Sequence, residues 1–436
     1  VKKLVHRKCP TPIPDYQDIF VKSGIWKNQI IRLLNFNLEN FIAEHVTGRR
    51  ESLFQQDIAA NREALYERIG GKSALVIGGA GSIGSSFIKA LLRFHPARLV
   101  VVDTNENGLT ELTRDLRSTN GMVVPPNYLT YPINLSDAVF RKMLKQKGPF
   151  DIVANFAAHK HVRSEKDPYS IEAMLDNNFF KAKALLDLLL DYPPKHFFCV
   201  STDKAANPVN VMGASKKLME EVILAYSQKI PITSARFANV AFSNGSLLAG
   251  FLDRLWKRQP LSSPSDIKRY FVSPEESGQL CMLACLLGES GDIFFPKLQS
   301  EEMKRFSNIG IDLLKTMGYE PDFCKTEQEA REKAARMNGH SSSYPVYYFP
   351  SDTSGEKPFE EFYTGTEELD LDRFAALGII KNAPKKDLSE IEATLAKIEA
   401  LFSKETISKN EVVQLLEEFI PDFKHIERGK NLDEKM

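Results

Sequence analysis

The chain reads as an α/β protein built on a doubly wound parallel sheet, with a smaller substrate-binding subdomain and helical N- and C-terminal extensions. Three observations carry that reading. Short apolar runs recur between Ser73 and Val200, bounded by turn residues, as buried parallel strands are. Stretches of helical periodicity alternate with them, the order that right-handed crossovers require. A glycine-rich turn, Gly78-Gly79-Ala80-Gly81-Ser82-Ile83-Gly84, joins the first such strand to the first such helix.

Residues 1–70 predict a helical extension. After Pro10, Pro12 and Pro14, apolar Ile30, Leu34, Leu38, Phe41 and Ile42 recur at helical spacing, with Arg32, Asn35, Glu39 and Asn40 opposite. A second helix is expected over 57–69. Residues 71–243 form the nucleotide-binding domain. Its strands are Ala74-Leu75-Val76-Ile77, Leu99-Val100-Val101-Val102, Asp151-Ile152-Val153-Ala154-Asn155-Phe156 and Phe197-Phe198-Cys199-Val200. Helices are expected between them over 85–94, 107–117 and 170–190, and after them over 214–228. Residues 244–384 mix short strands, helices and loops rich in Pro, Ser and Gly, and are assigned to the substrate-binding subdomain. Residues 385–436 form a helical tail. Asp387-x-x-Glu390 and Ser408-x-x-Glu411 fit capping boxes, and Leu388, Ile391, Leu395, Ile398 and Phe402 make one apolar stripe. Both helical ends are expected to pack on this chain or on a second copy, and a homo-oligomer is expected.

The length, 436 residues, allows two or three domains. Lys+Arg and Asp+Glu both total 57, so bulk charge points to neither nucleic acid nor an acidic membrane surface. Five cysteines without framework spacing fit a reducing compartment. Cys281 and Cys285 read as core residues of an apolar helix. No window resembles a membrane span and no signal peptide opens the sequence, so a cytoplasmic location is expected. His159 and His161 alternate on a loop without a partnered carboxylate motif, and no metal is expected.

The glycine turn has a physical use. Gly78 permits a tight turn, Gly81 lets backbone approach a pyrophosphate, and Gly84 lets helix and strand pack closely. Ser82 and Ile83 open the helix, whose free N–H groups and partial positive charge suit phosphate. Asp103, nineteen residues past Gly84, ends the second strand, where a carboxylate can accept hydrogen bonds from ribose hydroxyls. It would repel a 2′-phosphate, and Thr104 and Asn105 follow rather than Arg. The expected cofactor is therefore NAD.

Further motifs narrow the reading. Asn155-Phe156-Ala157-Ala158-His159-Lys160-His161-Val162, Ser201-Thr202-Asp203-Lys204-Ala205, Asn207-Pro208-Val209-Asn210-Val211-Met212-Gly213-Ala214-Ser215-Lys216, Arg236-Phe237-Ala238-Asn239-Val240, Arg269-Tyr270-Phe271 and Gly355-Glu356-Lys357 stand in order along the chain. Together they resemble the nucleotide-sugar 4,6-dehydratases of the capsular-polysaccharide biosynthesis type, within the extended short-chain dehydrogenase/reductase family, over roughly residues 56 to 365. The resemblance implies a Rossmann sheet with a strand over residues 236–240, bound NAD and a UDP-sugar substrate, with UDP-N-acetylglucosamine expected. It implies hydride removal from C4, loss of water across C5 and C6, and hydride return to C6, for surface glycan or nonulosonic acid biosynthesis.

Roles carried over from the resemblance fall on specific positions. Thr202 would hydrogen-bond the C4 hydroxyl, Lys204 would take the C5 proton, and Asp203 would protonate the departing C6 hydroxyl. Lys216 would bond the nicotinamide ribose. As a base, Lys204 needs a depressed pKa, which burial and a nearby Lys216 would favour and Asp203 would oppose. Asp203 needs a raised one. Met212 stands where the family's ordinary members carry a tyrosine base. A thioether removes no proton, so Thr202, Asp203 or a water would take over at C4. Methionine-bearing relatives tend to retain configuration at C5, and retention is the expectation. Asn134 replaces an Asp near the adenine, and Ala157 would line the cofactor. Lys160, His161, Asn239, Ser246 and Arg269 are expected around the sugar, uracil and phosphates. A nucleotide-sugar 4-epimerase and a non-catalytic NAD-binding assembly protein stay open as alternatives.

Overall fold

In the computed structural model, which describes residues 36–429 apart from Gly339 and Pro358, the central strands send alternate residues to opposite faces. β1 (Ser73–Ile77) places Ala74 and Val76 in one apolar cluster and Leu75 and Ile77 in another. β2 (Arg98–Val102) divides Leu99 and Val101 from Val100 and Val102 in the same way. Burial on both faces is why these strands carry unbroken apolar runs instead of alternation.

The sheet continues with β3 (Asn127–Tyr131), β4 (Ile152–Asn155), β5 (His196–Val200), β6 (Ile232–Ala235), β7 (Ile293–Pro296), β8 (Glu368–Asp370) and β9 (Leu377–Lys381). Its order is β8-β9-β7-β6-β5-β4-β1-β2-β3, and β9 runs antiparallel to both of its neighbours. The order reverses at β1, so a crevice opens beyond the carboxyl ends of β1 and β4, the position where sheets of this type bind ligands.

Helices α1 (Arg62–Ile69), α2 (Ser82–Leu92) and α3 (Glu106–Ser118) cover one face. The other carries α4 (Ala138–Lys147), α5 (Pro168–Leu175), α6 (Lys181–Asp191) and α7 (Val211–Tyr226). α5 and α6 are joined through a π-helical turn, Asp176–Phe180, where one helix was expected. α8 (Leu247–Lys257) belongs to a smaller lobe, and α9 (Pro274–Leu287) returns to pack on α2. The lobe holds a three-stranded parallel sheet of Leu261–Pro264, Ser343–Phe349 and Glu320–Phe323, with Phe251, Ile309 and Tyr344 in its core.

Three differences from the sequence reading follow from packing. β3 and α4 were not anticipated; β3 is an edge strand whose residues are at most half-buried, so it carries no apolar run. The stretch 244–384 is not a separate unit, because β7, β8 and β9 join the main sheet. Arg236–Val240 is not one strand: β6 stops at Ala235, and only Asn239–Val240 pairs again, with Phe271–Val272.

The described part of the N-terminal extension packs on the body. Phe41, Ile42 and Val46 enter the small lobe's core, and the Asp57 carboxylate accepts the Ala375 and Ala376 N–H groups at 2.6 and 2.9 Å. The helix expected over 57–69 is split at Asn61, whose side chain donates to the Asp57 carbonyl. Pro10, Pro12, Pro14, Ile30 and Leu34 lie outside the described residues. In the tail, α10 (Leu388–Phe402) and α11 (Lys409–Phe419) each form the expected capping box. Ile391, Leu395, Ile398 and Leu416 bury against the α6 and α7 side of the sheet. Beyond them the Lys424 and Ile426 N–H groups donate to the Pro208 and Val209 carbonyls, pinning the loop that precedes Met212. No described helix is long and apolar enough to cross a membrane.

Candidate active site

The glycine turn has the geometry of a phosphate cradle. Gly78 sits at φ 73°, and a Cβ there would stand 2.6 Å from the Ala157 nitrogen. A Cβ on Gly84 would stand 2.4 Å from the Gly78 carbonyl oxygen, so strand, turn and helix touch through backbone. Gly81 precedes α2 with ordinary extended angles, and a Cβ there would meet only the Gly78 oxygen, at 3.3 Å. Its outer side is open for an anion. The first helical N–H bond into the turn comes from Ser85, leaving the amides at Ser82, Ile83 and Gly84 at the helix opening.

The residues around the turn are braced. Asp103 accepts the Ala80 N–H at 3.0 Å and the Asn105 N–H at 2.9 Å, fixing the carboxylate beyond β2. Each oxygen keeps a second acceptor site for a ribose hydroxyl. The Ser82 hydroxyl accepts the Asn244 N–H at 2.8 Å, tying the cradle to the loop before α8. Asn155 accepts the Ala157 N–H at 3.1 Å. Asn134 uses its carbonyl oxygen on the Ser136 N–H and hydroxyl, bracing its own turn. These groups fit a dinucleotide whose pyrophosphate lies on α2.

A second constellation lies beyond β5. Thr202 caps a short 3₁₀ turn, Asp203–Ala205, which aims two side chains back across the sheet end. The Thr202 hydroxyl donates to Asp203 Oδ1 at 2.9 Å, and Lys204 Nζ donates to the same oxygen at 3.0 Å. Lys204 Nζ also stands 3.7 Å from Glu360 Oε1, and Arg269 Nη2 stands 3.6 Å from that oxygen. Asp203, Glu360 and Arg269 are all buried. The result is a sunken chain of alternating charge, Asp203–Lys204–Glu360–Arg269.

This neighbourhood corrects one expectation. Burial lowers the Lys204 pKa, but Asp203 and Glu360 outweigh it, and the net shift is upward. The cation that opposes them is Arg269 rather than Lys216. Lys216 is buried and donates to the Val200 carbonyl at 2.7 Å, and burial lowers its pKa. Glu360 is pushed upward by burial against the pull of Lys204 and Arg269.

The other predicted positions are spread around this centre. Met212 is buried in the apolar cluster beneath α7, and its carbonyl accepts the Ser215 hydroxyl. Lys160 and His161 stand on the loop after β4, where desolvation lowers the pKa of both. The His161 ring lies 3.0 Å from where a Cβ on Gly245 would be, beside Ser246. Ser246 caps α8 by accepting the Ala249 N–H, and Asn239 turns its amide to the Tyr270 carbonyl at 3.5 Å. Arg269 donates to the Lys268 and Lys357 carbonyls. The structure thus unites Thr202, Asp203, Lys204 and Arg269, and sets His161 by Ser246. It does not bring Lys216 to Lys204.

Several residues were not anticipated. Glu360 sits in a loop where acids ordinarily read as solvated, and no local spacing marks its burial. Fully buried Arg236 makes paired hydrogen bonds to Glu220 and to Glu367, all at 2.8–2.9 Å, and Ser201 donates to Glu220 at 2.6 Å. That network anchors the 362–367 loop, and with it Glu360, to the end of β6. Asn178 accepts the His159 N–H and donates to the His159 carbonyl and the Ser215 hydroxyl, joining the β4 loop to α7. Among the described residues no group of three or more His, Cys, Asp or Glu is arranged to hold a metal.

Residues 74–338 match the family described as polysaccharide biosynthesis protein. The chain belongs to this family. It is 33% identical over 260 residues to the uncharacterized membrane protein MJ1061 of Methanocaldococcus jannaschii, covering 58% of this chain and 74% of that one. It is 29% identical to the capsular polysaccharide biosynthesis protein CapD of Staphylococcus aureus, covering 76% of this chain and 53% of the relative, so it spans about half of CapD's length. It is 25% identical to the inverting UDP-N-acetylglucosamine 4,6-dehydratase of Campylobacter jejuni, covering 55% of this chain and 70% of that enzyme. Among solved structures, Pen from Bacillus thuringiensis superposes with a TM-score of 0.59 at 20% identity, covering 81% of this chain and 98% of Pen. The family member described here thus has a Rossmann-type fold, a large, mostly parallel sheet flanked by helices.

Proposed function

We propose that the chain is an NAD-dependent UDP-N-acetylglucosamine 4,6-dehydratase that makes a UDP-4-keto-6-deoxy-N-acetylhexosamine for surface glycan or nonulosonic acid biosynthesis. The observation that carries this reading is the Asp203–Lys204 pair at the end of β5, with Thr202 on the same Asp203 oxygen. The likeness to the C. jejuni dehydratase supports the substrate and the reaction type. NAD is supported by the open side of Gly81, the α2 opening and Asp103.

When bound, NAD supplies a hydride acceptor for C4 and a hydride donor for C6. The chain's own residues handle protons and position. Thr202 orients the C4 hydroxyl and, with Asp203, provides the acceptor that Met212 does not. Lys204 removes the C5 proton once C4 is a ketone. Asp203 gives a proton to the leaving C6 hydroxyl. Arg269 pairs with the diphosphate, a role suited to a guanidinium. Retention at C5 is proposed on the methionine at 212, which sets this chain apart from the inverting reading attached to its C. jejuni relative. Lys160, His161, Asn239 and Ser246 are proposed along the sugar and nucleotide, and Lys216 at the nicotinamide ribose.

The test is incubation of the chain with NAD and UDP-N-acetylglucosamine, followed by proton NMR of the sugar. A new C6 methyl doublet with loss of the C6 hydroxymethyl signals supports dehydration. A C4 epimer that keeps its C6 hydroxymethyl group overturns it in favour of a 4-epimerase. NAD binding without any sugar product overturns it in favour of a non-catalytic member.

A further inference from the structure

The alternating charge chain includes a residue that no motif required. Glu360 is buried, and its Oε1 faces two cations at once, Lys204 at 3.7 Å and Arg269 at 3.6 Å. One cation is the proposed C5 base and the other the proposed diphosphate partner. A base at C5 must be neutral when it acts, yet Lys204 rests between two carboxylates that favour its charged form.

We propose that Glu360 is a positioning residue that couples occupancy of Arg269 by a substrate phosphate to the release of a proton from Lys204. This rests on the assignment of Lys204 and Arg269 given above. In the free protein Arg269 shares its charge with Glu360. A bound diphosphate neutralises Arg269, so Glu360 loses the support of one cation inside a buried site. The cheapest response is to lose its charge as well. A proton crosses the Lys204–Glu360 contact: an Nζ–H bond breaks, an Oε1–H bond forms, and the pair becomes neutral amine and neutral acid. No outside acid or base is consumed. Lys204 then retains Asp203 as hydrogen-bond partner and is free to take the C5 proton.

The charged groups around the pair agree with this direction. Lys204 is faced by Asp203, Glu360 and Arg269. Glu360 is faced by Lys204, Asp203, Arg269 and Lys357. Burial already favours the protonated form of Glu360 and Asp203 adds to it, so a loss of positive potential from Arg269 acts in the same direction. The arrangement would hold the base protonated until substrate arrives.

The experiment is competitive acylation of lysines with acetic anhydride at pH 8.5, with the Lys204 peptide quantified by mass spectrometry. The Lys204 side chain is 17% exposed, which calls for a reagent as small as acetic anhydride. With the sugar-free probe UDP at saturation, Lys204 of the wild-type protein should acylate several-fold faster. In E360Q, which keeps shape and removes the anion, Lys204 should acylate about tenfold faster without UDP, equivalent to about one pH unit in its midpoint. UDP should then add nothing. An E360Q rate equal to wild type, or a UDP effect of equal size in both proteins, overturns the coupling. A wild-type rate that UDP leaves unchanged or slows overturns it without recourse to any variant. Failure of the dehydratase reading looks different: the sugar NMR shows no C6 methyl, while the E360Q acceleration persists.

Discussion

Two glycines three residues apart should answer differently to the same added methyl group. In Gly84→Ala the new Cβ would lie 2.4 Å from the Gly78 oxygen and 2.8 Å from the Gly79 Cα. Both obstacles are backbone, so α2 must draw back by about an ångström to restore ordinary contact. Overpacking of this kind costs about 1–3 kcal/mol. The thermal midpoint should fall, and the amides at the α2 opening should leave the phosphate. In Gly81→Ala the Cβ meets only the Gly78 oxygen at 3.3 Å, and φ −74° suits alanine. The Gly78 oxygen need yield only a few tenths of an ångström, so the apo protein should lose no more than about 1 kcal/mol. Its NAD affinity should nevertheless drop by tenfold or more, since the methyl group occupies the side from which a pyrophosphate must approach. Calorimetric titration with NAD, paired with melting of the apo proteins, reads both effects. A Gly81→Ala protein that binds NAD as tightly as wild type would refute the placement of the pyrophosphate on this turn.

Other outcomes follow from the buried polar groups. Glu220→Ala leaves buried Arg236 with one carboxylate, Glu367, and the Ser201 hydroxyl without its acceptor; urea unfolding should show a loss of about 3–5 kcal/mol. A loss under about 1 kcal/mol would mean the network is dispensable. Thr202→Val keeps the shape and deletes the hydroxyl, so the rate should fall roughly a hundredfold, while loss of the cap lowers stability by only about 0.5–2 kcal/mol. His196 is held by burial, with Arg68 adding, at about 4 instead of the ordinary 6.5. Its folded-state pKa is depressed, so the unfolded chain binds the extra proton first. Stability should decline as pH falls from 6.5 towards 4, by about 2–4 kcal/mol for this group. His196→Asn should flatten that window in a set of urea melts, and an unchanged slope would contradict the assignment.

How much was legible in the chain depended on where burial came from. β1, β2, β4 and β5 were readable because two covered faces demand continuous apolar runs. β3 was not, because an edge strand is free to carry Asn127 exposed and Tyr128 and Thr130 half-buried. Helix starts were readable where a cap and its partner lie three residues apart, as at Asp387 and Ser408. Arg236 was legible only as part of a motif, because no local spacing marks its burial. Here its guanidinium is fully enclosed by two carboxylates from distant parts of the chain. The Asp203–Lys204 pair was visible as a motif, but its electrostatics were not. Glu360 reaches Lys204 from far along the sequence, and with Asp203 it outweighs burial and Arg269 and reverses the direction expected for the Lys204 pKa. Lys216 shows the same limit: four residues from Met212 on one helix, it turns under β5 to the Val200 carbonyl instead of towards Lys204.

The account stands on Lys204 as the group that strips the C5 proton. The direct measurement is deuterium incorporation at C5 of UDP-N-acetylglucosamine in heavy water with NAD, comparing wild type and Lys204→Ala by NMR. Wild type should place one deuteron at C5 alongside the new C6 methyl group, and the variant should leave C5 fully protonated while still binding UDP. Equal C5 labelling in the two proteins would contradict the account.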